Sequence, residues 1–186
     1  MTQKKLIRNE SFRIKPLHIM LIIVGVCVFL VVVTKRAQQS NVRPQVGGMI
    51  LSGSFDESKF KSDEEWRKIL TPQQYHIVRE QGTELPFTGS LLHNKQKGTY
   101  VSVGCNQPVF RSEDKFDSAT GWPSFTAPIT DDAVVLRVDS SLGIERTEVL
   151  DQCGGHLGHV FDDGPAPLGK RYCINSAALI FIPDEK

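Results

Sequence analysis

The longest apolar run of the chain lies near its N-terminus, where residues 17–33 contain no charged side chain and basic residues flank the run on both sides. At a rise of about 1.5 Å per residue, a helix of this length covers roughly 25 Å, near the thickness of the hydrocarbon core of a bilayer. A core helix of a globular protein is seldom apolar on every face, and no signal-peptide cleavage pattern follows Val33. The pattern predicts an uncleaved single transmembrane helix over residues 17–34, in contact with the lipid bilayer through residues 17–33.

Residues 35–61 have a different composition, because they are rich in Gly, Ser, Gln and Pro and show no hydrophobic period. Such a composition is typical of a flexible tether. The next segment carries two helix starts. Ser62 with Glu65 fits a capping box, and Thr71 precedes Pro72 at the first helical position of a second helix. Two short helices are therefore expected directly after the tether.

From Tyr100 onward the pattern changes to short β-prone runs, which are TYVSV, AVVLRV, RTEVL, GHVF, RYCI and AALIFI. Clusters of Gly, Pro and Asp separate these runs at intervals too short for crossover helices, so neighbouring strands should pair antiparallel. The pattern predicts one mainly β domain over residues 62–186 with short N-terminal helices. The apolar fraction of 40% is sufficient for one globular core, and it excludes a disordered or collagen-like chain.

Charge divides the chain between its N-terminal part and its body. Residues 1–43 have a net charge of +7 and the remaining residues one of −6, which together give the formal net charge of +1. This near-neutral total argues against a nucleic-acid partner. More basic side chains precede the apolar run than closely follow it, and basic segments resist translocation. We therefore expect residues 1–16 in the cytoplasm and a single-pass membrane protein with its body in the periplasm or outside the cell; the opposite orientation is the alternative.

The four cysteines are Cys27, Cys105, Cys153 and Cys173, and none of them forms a C-x-x-C pair. Spacing alone therefore does not support a four-cysteine zinc site. Cys173 lies in a β-prone run, with Arg171 two residues earlier. In a strand these two side chains share a face, where the guanidinium could favour the reactive thiolate. A buried, inert cysteine is the alternative interpretation.

The segment GGHLGHVFDDGP places His156 and His159 three residues apart beside glycines. Two histidines at this spacing are compatible with metal ligands or with an acid/base pair. A metal needs at least a third ligand, which Cys153 could supply. The residues alone leave both interpretations open.

The segment FDSATGWPSF contains Trp122 and Phe125 on either side of a proline. Aromatic side chains held rigidly in such a loop are typical of the lining of a small apolar pocket. A tryptophan that covers the hydrophobic core is the alternative interpretation. The loop therefore becomes a candidate substrate site only if other catalytic residues lie near it.

Taken together, these segments resemble the B-type methionine sulfoxide reductases, which reduce the R epimer of methionine sulfoxide. The matching stretches follow the family's order from about Leu70 to Ile182 and are LTPQQYHIVREQGTELPFTG, SEDKFDSATGWPSF, RTEV, GGHLGHVFDDGP and RYCINSAAL. The resemblance implies a β-tent-like domain of two antiparallel sheets that repairs oxidised methionine in peptides and proteins. A non-catalytic β-tent module that binds a partner at the membrane is the alternative.

The resemblance also assigns catalytic roles to matching side chains. Cys173 corresponds to the nucleophile, whose thiolate attacks the sulfoxide sulfur and becomes a sulfenic acid. His159 and His156 correspond to active-site histidines, and Asn175 to the asparagine that helps hold them and the substrate. These residue types suit the task, because a sulfoxide sulfur is a poor electrophile until its oxygen is protonated.

For substrate binding, the resemblance points to Trp122, whose ring would pack on the methyl group of the substrate. Phe125 of the same loop and Arg171 beside the nucleophile are the other residues that we expect near the substrate. Arg171 is also a candidate for lowering the pKa of the nucleophile.

The sequence departs from the family pattern at the positions that bind a structural zinc in many members. Ser102 and Leu150 stand where each C-x-x-C pair has its first cysteine, and only Cys105 and Cys153 are retained. We therefore expect no zinc and no other cofactor. A Cys105–Cys153 disulfide in place of the metal is the corresponding hypothesis, in keeping with an oxidising compartment outside the cytoplasm.

A second departure concerns the return of the nucleophile to its reduced form. Members without zinc often have a resolving cysteine just before the tryptophan, and this chain has Thr120 there. Either Cys105 or Cys153 resolves the sulfenic acid, or a small thiol or a thioredoxin-like protein reduces it directly. We expect the direct route.

Overall fold

A computed structural model describes residues 48–185 of the 186-residue chain. This part contains helices α1 (Asp63–Ile69) and α2 (Pro72–Glu80) and ten strands. The strands are β1 (Ile50–Ser52), β2 (Gly98–Ser102), β3 (Pro108–Arg111), β4 (Lys115–Phe116), β5 (Ser124–Phe125), β6 (Val135–Asp139), β7 (Arg146–Leu150), β8 (His156–Phe161), β9 (Arg171–Ile174) and β10 (Leu179–Pro183). Short 3-10 turns cover Glu57–Lys59, Ser112–Asp114 and Ser176–Ala178.

The strands form two antiparallel sheets. The larger sheet has seven strands in the order β1-β6-β7-β8-β9-β5-β4, and the smaller has three in the order β10-β2-β3. Neighbouring strands in both sheets pair antiparallel, as expected when short turns rather than crossover helices connect the strands. The prediction of a mainly β domain with two antiparallel sheets and short N-terminal helices is confirmed.

Both helices begin where the capping signals place them. Ser62 and Glu65 exchange side-chain and backbone hydrogen bonds at the start of α1, and Thr71 and Gln74 do the same at the start of α2. The reciprocal bonds satisfy backbone N–H groups that have no partner within the first turn. Helix α2 lies against β8, so it supports the sheet close to the histidine segment.

Aromatic side chains join the two sheets in the core. The ring of Phe125 from β5 stacks on Phe110 from β3 with centroids 4.4 Å apart and meets Tyr100 from β2 edge-on at 4.9 Å. All three residues are fully buried. Burial of such large apolar surfaces is a main source of stability, so these rings fix the sheets against each other.

The predicted tether extended too far along the chain. From residue 50 the chain forms β1, which pairs with β6, and the backbone N–H of Asp56 donates to the carbonyl of Gln152 at 2.8 Å. Strand β1 lies at the sheet edge with exposed side chains, so backbone pairing places it there without a hydrophobic period. No helix within residues 48–185 is long and apolar enough to cross a membrane. The predicted transmembrane helix, residues 17–34, and the segment 1–16 lie outside the described residues.

Candidate active site

A row of directly opposed residues crosses the larger sheet. Glu148 of β7 lies opposite His159 of β8, His159 opposite Cys173 of β9, and Cys173 opposite Ser124 of β5. Side chains of directly opposed residues project from the same face of a sheet and lie close together. Antiparallel pairing thus places the predicted nucleophile beside one of the predicted histidines.

A β-bulge in β8 brings His156 to the same face as His159. Residues three apart in a regular strand project from opposite faces. Two consecutive residues of β7 pair with Gly158 and His156, so Leu157 is the extra residue of the bulge. The two imidazole rings consequently lie with their centroids 5.4 Å apart.

Asn175 holds this bulge in place. Its backbone N–H and its side-chain Nδ2 both donate to the carbonyl of Leu157, at 2.9 and 3.0 Å. Its side-chain Oδ1 accepts from the backbone N–H of Glu84 at 3.0 Å. Asn175 is buried, so these bonds tie the loop around Glu84 to the strand that carries the histidines.

The predicted catalytic residues line one cavity of about 160 Å³. Its lining includes Cys173, His156, His159, Asn175 and Trp122, together with Thr83, Arg146, Gly158 and Phe161. The indole N–H of Trp122 donates to the carbonyl of Glu84 at 3.1 Å, which fixes the ring in the cavity wall. The cavity therefore combines an apolar wall with a thiol and two imidazoles, the set expected for a small polar group on an apolar chain.

Two residues that we expected near the substrate do not line this cavity. Phe125 is in the core on the Phe110 ring and is fully buried, because its position in the strand points it between the sheets. Arg171 pairs with Asp163 through two hydrogen bonds of 2.8 Å, and its guanidinium lies 4.5 Å from the centroid of the Phe161 ring. Neither Phe125 nor Arg171 belongs to the described lining of the cavity. They support the site from behind and from its side.

The environment of Cys173 acts on its thiol in two directions. Burial raises the pKa of Cys173, while Thr120, the charge of Arg171 and Ser124 act to lower it and only partly offset the effect. The hydroxyl oxygen of Thr120 lies 3.9 Å from Sγ. The expected effect of Arg171 is therefore present, but burial outweighs it in the free protein.

Each histidine is bound to a carboxylate that an arginine also contacts, and of the two carboxylates Glu148 is buried and Asp139 partly buried. Nδ1 of His156 donates to Oε1 of Glu148 at 2.7 Å, and Arg137 binds the other oxygen of that carboxylate. Nε2 of His159 donates to Asp139 at 2.8 Å, and Arg146 donates to the same oxygen at 2.5 Å. The two rings are thus held through different nitrogen atoms.

The carboxylates remain ionised in these surroundings. Burial acts to raise the pKa of Glu148, but the hydrogen bond and charge of His156 and those of Arg137 hold this pKa below its ordinary value. Burial likewise acts to raise the pKa of Asp139, but bonds from Ser141 and His159 and the charge of Arg146 hold it well below its usual range. Burial also lowers the pKa of His159 itself, which favours the neutral ring.

Sequence reasoning did not single out these carboxylates and arginines as site residues. The sequence nevertheless carries a pattern that marks them, because charged residues occupy alternate positions of two β-prone runs. These are Arg137 and Asp139 in one run and Arg146 and Glu148 in the next. Residues two apart in a strand share a face, and both runs turn this face toward the histidines. Charged side chains at alternate positions of an otherwise apolar strand are therefore the pattern that could have identified them.

The retained cysteines of the expected zinc positions form a disulfide. Cys105 and Cys153 are bonded, with Cα atoms 5.5 Å apart. The carboxylate of Asp151 accepts from the backbone N–H groups of Cys105 and Cys153 at 3.2 and 3.0 Å. Disulfide sulfurs are not the thiolates that bind zinc, so these residues do not fit a four-ligand zinc site.

Comparison with known proteins agrees with this arrangement. The SelR domain model matches residues 70–183. The chain is 56% identical over 127 residues to "Peptide methionine sulfoxide reductase MsrB" of Methanosarcina barkeri, covering 68% of this chain and 89% of that protein. It is 58% identical over 122 residues to the protein of the same name from Leptospira interrogans, covering 65% and 93% of the two chains. It is also 49% identical over 146 residues to "Methionine-R-sulfoxide reductase B3, mitochondrial" of Mus musculus, covering 76% and 58%.

The SelR domain occupies most of the described chain, and these relatives are 49–58% identical to it over their aligned residues. The family match and these relatives define an oxidoreductase. The chain belongs to the B-type methionine sulfoxide reductases.

Proposed function

We propose that this protein reduces methionine-(R)-sulfoxide in peptides and proteins through a covalent step at Cys173, and so repairs oxidised proteins. The observation that carries the proposal is the cavity of about 160 Å³ that Cys173 shares with His156, His159 and Trp122. A sulfoxide needs a nucleophile at its sulfur and a proton at its oxygen, and these side chains supply both.

The chemistry balances without a cofactor. Sγ of Cys173 attacks the sulfoxide sulfur, and the proton of the thiol reaches the sulfoxide oxygen by way of a histidine. As the S–O bond of the substrate breaks, the hydroxyl passes to Sγ, so the products are a thioether and the sulfenic acid of Cys173. The substrate sulfur is reduced by two electrons and the cysteine sulfur is oxidised by two.

The wall opposite the histidines explains a preference for one epimer. The apolar ring of Trp122 suits the methyl group of the substrate, and the imidazoles suit its oxygen. When Sγ must also reach the sulfur, only one arrangement of oxygen, methyl and peptide chain satisfies all three contacts. This supports selectivity for one epimer, and membership of the B-type family supports the R epimer as the one reduced.

Return to the thiol requires an external reductant in this proposal. Among the described residues Cys173 is the free cysteine, because Cys105 and Cys153 are bonded to each other. Thr120, whose hydroxyl lies near Sγ of Cys173, stands where a second thiol could form a disulfide with the sulfenic acid. A small thiol or a thioredoxin-like protein condenses with the sulfenic acid, releasing water and forming a mixed disulfide. A second thiol of the reductant then breaks this disulfide and restores Cys173.

We further propose that residues 17–33 anchor the protein in the bilayer, with the N-terminus in the cytoplasm and the catalytic domain in the periplasm or outside the cell. The apolar run with its flanking charges supports the anchor, and the disulfide supports an oxidising compartment. Reporter fusions before residue 17 and after residue 186 test the orientation. Activity of both reporters on the cytoplasmic side would contradict it.

The decisive experiment for the function is turnover of separate R and S epimers of a methionine sulfoxide peptide by the full-length protein, with dithiothreitol as the reductant. We expect reduction of the R epimer and complete loss of turnover in Cys173→Ser, while Cys105→Ala/Cys153→Ala remains active. Activity on the S epimer alone, or unchanged activity in Cys173→Ser, would overturn the proposal. The second result would favour a non-catalytic binding module.

A further inference from the structure

We propose that Glu148 is a positioning residue of the reduction, which orients His156 and holds the proton that His156 passes to the sulfoxide oxygen. The inference rests on the proposed function and adds which histidine delivers the proton and what holds that histidine. Hydrogen bonds and burial on the larger sheet support this role.

His156 is held at one nitrogen and left open at the other. The residue is 2% exposed, and its Nδ1 donates to Oε1 of Glu148 at 2.7 Å. Its Nε2 is buried and has no hydrogen-bond partner among the described residues. A buried polar atom without a partner costs free energy, and in a site of this kind a bound polar group removes that cost. Because the ring lines the cavity, we infer that Nε2 meets the oxygen of the sulfoxide.

Glu148 is itself fixed from the opposite side. Its second oxygen accepts from Nε of Arg137 at 2.8 Å and also from Nη2, and both residues are almost fully buried. The two residues are direct cross-strand neighbours in β6 and β7, so the sheet sets their geometry. The guanidinium keeps the carboxylate charged, and the charged carboxylate accepts the proton on Nδ1, which fixes the orientation and the tautomer of the His156 ring. Arg137, Glu148 and His156 therefore form a continuous chain that ends at the cavity.

His159 is arranged in the opposite sense. Its outer nitrogen, Nε2, is already bound to Asp139 at 2.8 Å, so the nitrogen nearer its own backbone is the one left over. Arg146 donates to the same carboxylate oxygen, so its positive charge also interacts with Asp139. The outer nitrogen, Nε2, therefore has no hydrogen-bond partner among the described residues in His156, whereas in His159 it is bound to a carboxylate.

The titratable and charged groups around this pair come from every element that packs on it. They are Arg137 and Asp139 of β6, Arg146 of β7, His159 of β8, Cys173 of β9 and Glu80 of α2. Glu80 lines an adjoining cavity together with Asp139, Arg146, Glu148 and both histidines. Replacement of Glu148 by Gln changes the charge next to His156 and leaves these other groups in place. A change in the pH profile of that variant therefore reports on this one contact.

The test is the pH dependence of kcat for R-sulfoxide reduction by the full-length Glu148→Gln protein. The amide oxygen still accepts from Nδ1 of His156, but the negative charge that faces the ring is gone. We expect kcat to fall about 10–100-fold, KM to stay within about twofold, and the alkaline limb to move to lower pH by about one unit or more. Glu148→Asp, which keeps the charge, should restore the position of that limb.

Asp139→Asn is the matched control, because it removes the corresponding carboxylate from His159. We expect it to leave the alkaline limb where it is in the parent protein, whatever its effect on rate. A limb that moves in Asp139→Asn and not in Glu148→Gln would overturn the proposal and assign proton delivery to His159. Alkylation of Cys173 by iodoacetamide, measured in parallel, should be within about twofold of the parent rate if the nucleophile is undisturbed.

Removal of one buried charge leaves its partner unpaired, so Glu148→Gln could be too unstable to assay. The double variant Arg137→Met/Glu148→Gln removes both charges and serves as the second test. If either folded variant keeps the parent kcat and pH profile, Glu148 has no positioning role. Failure of the proposed function is a separate result, because it would appear as an inactive parent protein or an active Cys173→Ser variant.

Discussion

The disulfide between Cys105 and Cys153 closes a loop of 48 residues, with Cα atoms 5.5 Å apart. Its removal by Cys105→Ala/Cys153→Ala should destabilise the domain without stopping catalysis. In the chain-entropy description, a cross-link over a loop of this length lowers the free energy of folding by about 4 kcal/mol, because it restricts the unfolded chain. For a domain of this size, each kcal/mol corresponds to a few degrees of melting temperature, so we expect a decrease of about 10–20 °C.

The local structure gives the cross-link a further effect. Asp151 is fully buried, burial raises its pKa, and its carboxylate accepts from backbone N–H groups on both sides of the disulfide. Separation of Cys105 from Cys153 would disturb these bonds, and a buried carboxylate that loses its donors is destabilising. The measured decrease should therefore be no smaller than the chain-entropy value.

The assay is thermal unfolding of the full-length protein and of the double variant, each with and without dithiothreitol. The parent protein should melt at a lower temperature once the bond is reduced, and the double variant should be insensitive to the reductant. Turnover below the melting temperature with dithiothreitol should be the same in both proteins. Equal melting temperatures would refute the stabilising role, and loss of turnover in the folded variant would contradict the expectation that catalysis does not require this bond.

Two further substitutions test the site and the core. Thr120→Cys places a thiol where the hydroxyl oxygen lies 3.9 Å from Sγ of Cys173, so one equivalent of R-sulfoxide should give an intramolecular disulfide by mass spectrometry; persistence of the sulfenic acid would show that the loop cannot bring the sulfurs together. Phe125→Ala empties the space between the sheets and should lower the free energy of unfolding by about 3–5 kcal/mol in denaturant titrations, with Phe125→Leu as the milder control. A loss below about 1 kcal/mol would contradict the central place of this ring in the core.

The elements that local signals specify were predictable from the sequence. Ser62 and Thr71 start helices because their side chains satisfy backbone N–H groups of the first turn, a short-range effect. The β-prone runs became strands because apolar residues there can be buried on a sheet. Strand β1 was missed because it is an exposed edge, where pairing depends on backbone bonds to β6 and hardly on side chains.

The site residues likewise include some that the sequence identified and one whose place it did not predict. Cys173, His156, His159 and Trp122 were found by residue type and by resemblance, and they line the cavity. Phe125 was misplaced, because the side of a strand that faces the core depends on the register of a two-residue strand. That register is fixed by the neighbouring strands and is not encoded in the local sequence.

Strand register determines which charged side chains lie beside the two histidines. Glu148 and Asp139 belong to different strands, and nothing in their own segments indicates which histidine each will meet. Pairing of β6 with β7 places an arginine opposite each carboxylate. The bulge at Leu157 then turns both histidines toward that face. One residue more or less in this strand would send His156 to the opposite face and leave Glu148 buried without it. The bulge at Leu157 therefore decides whether both histidines line the same cavity.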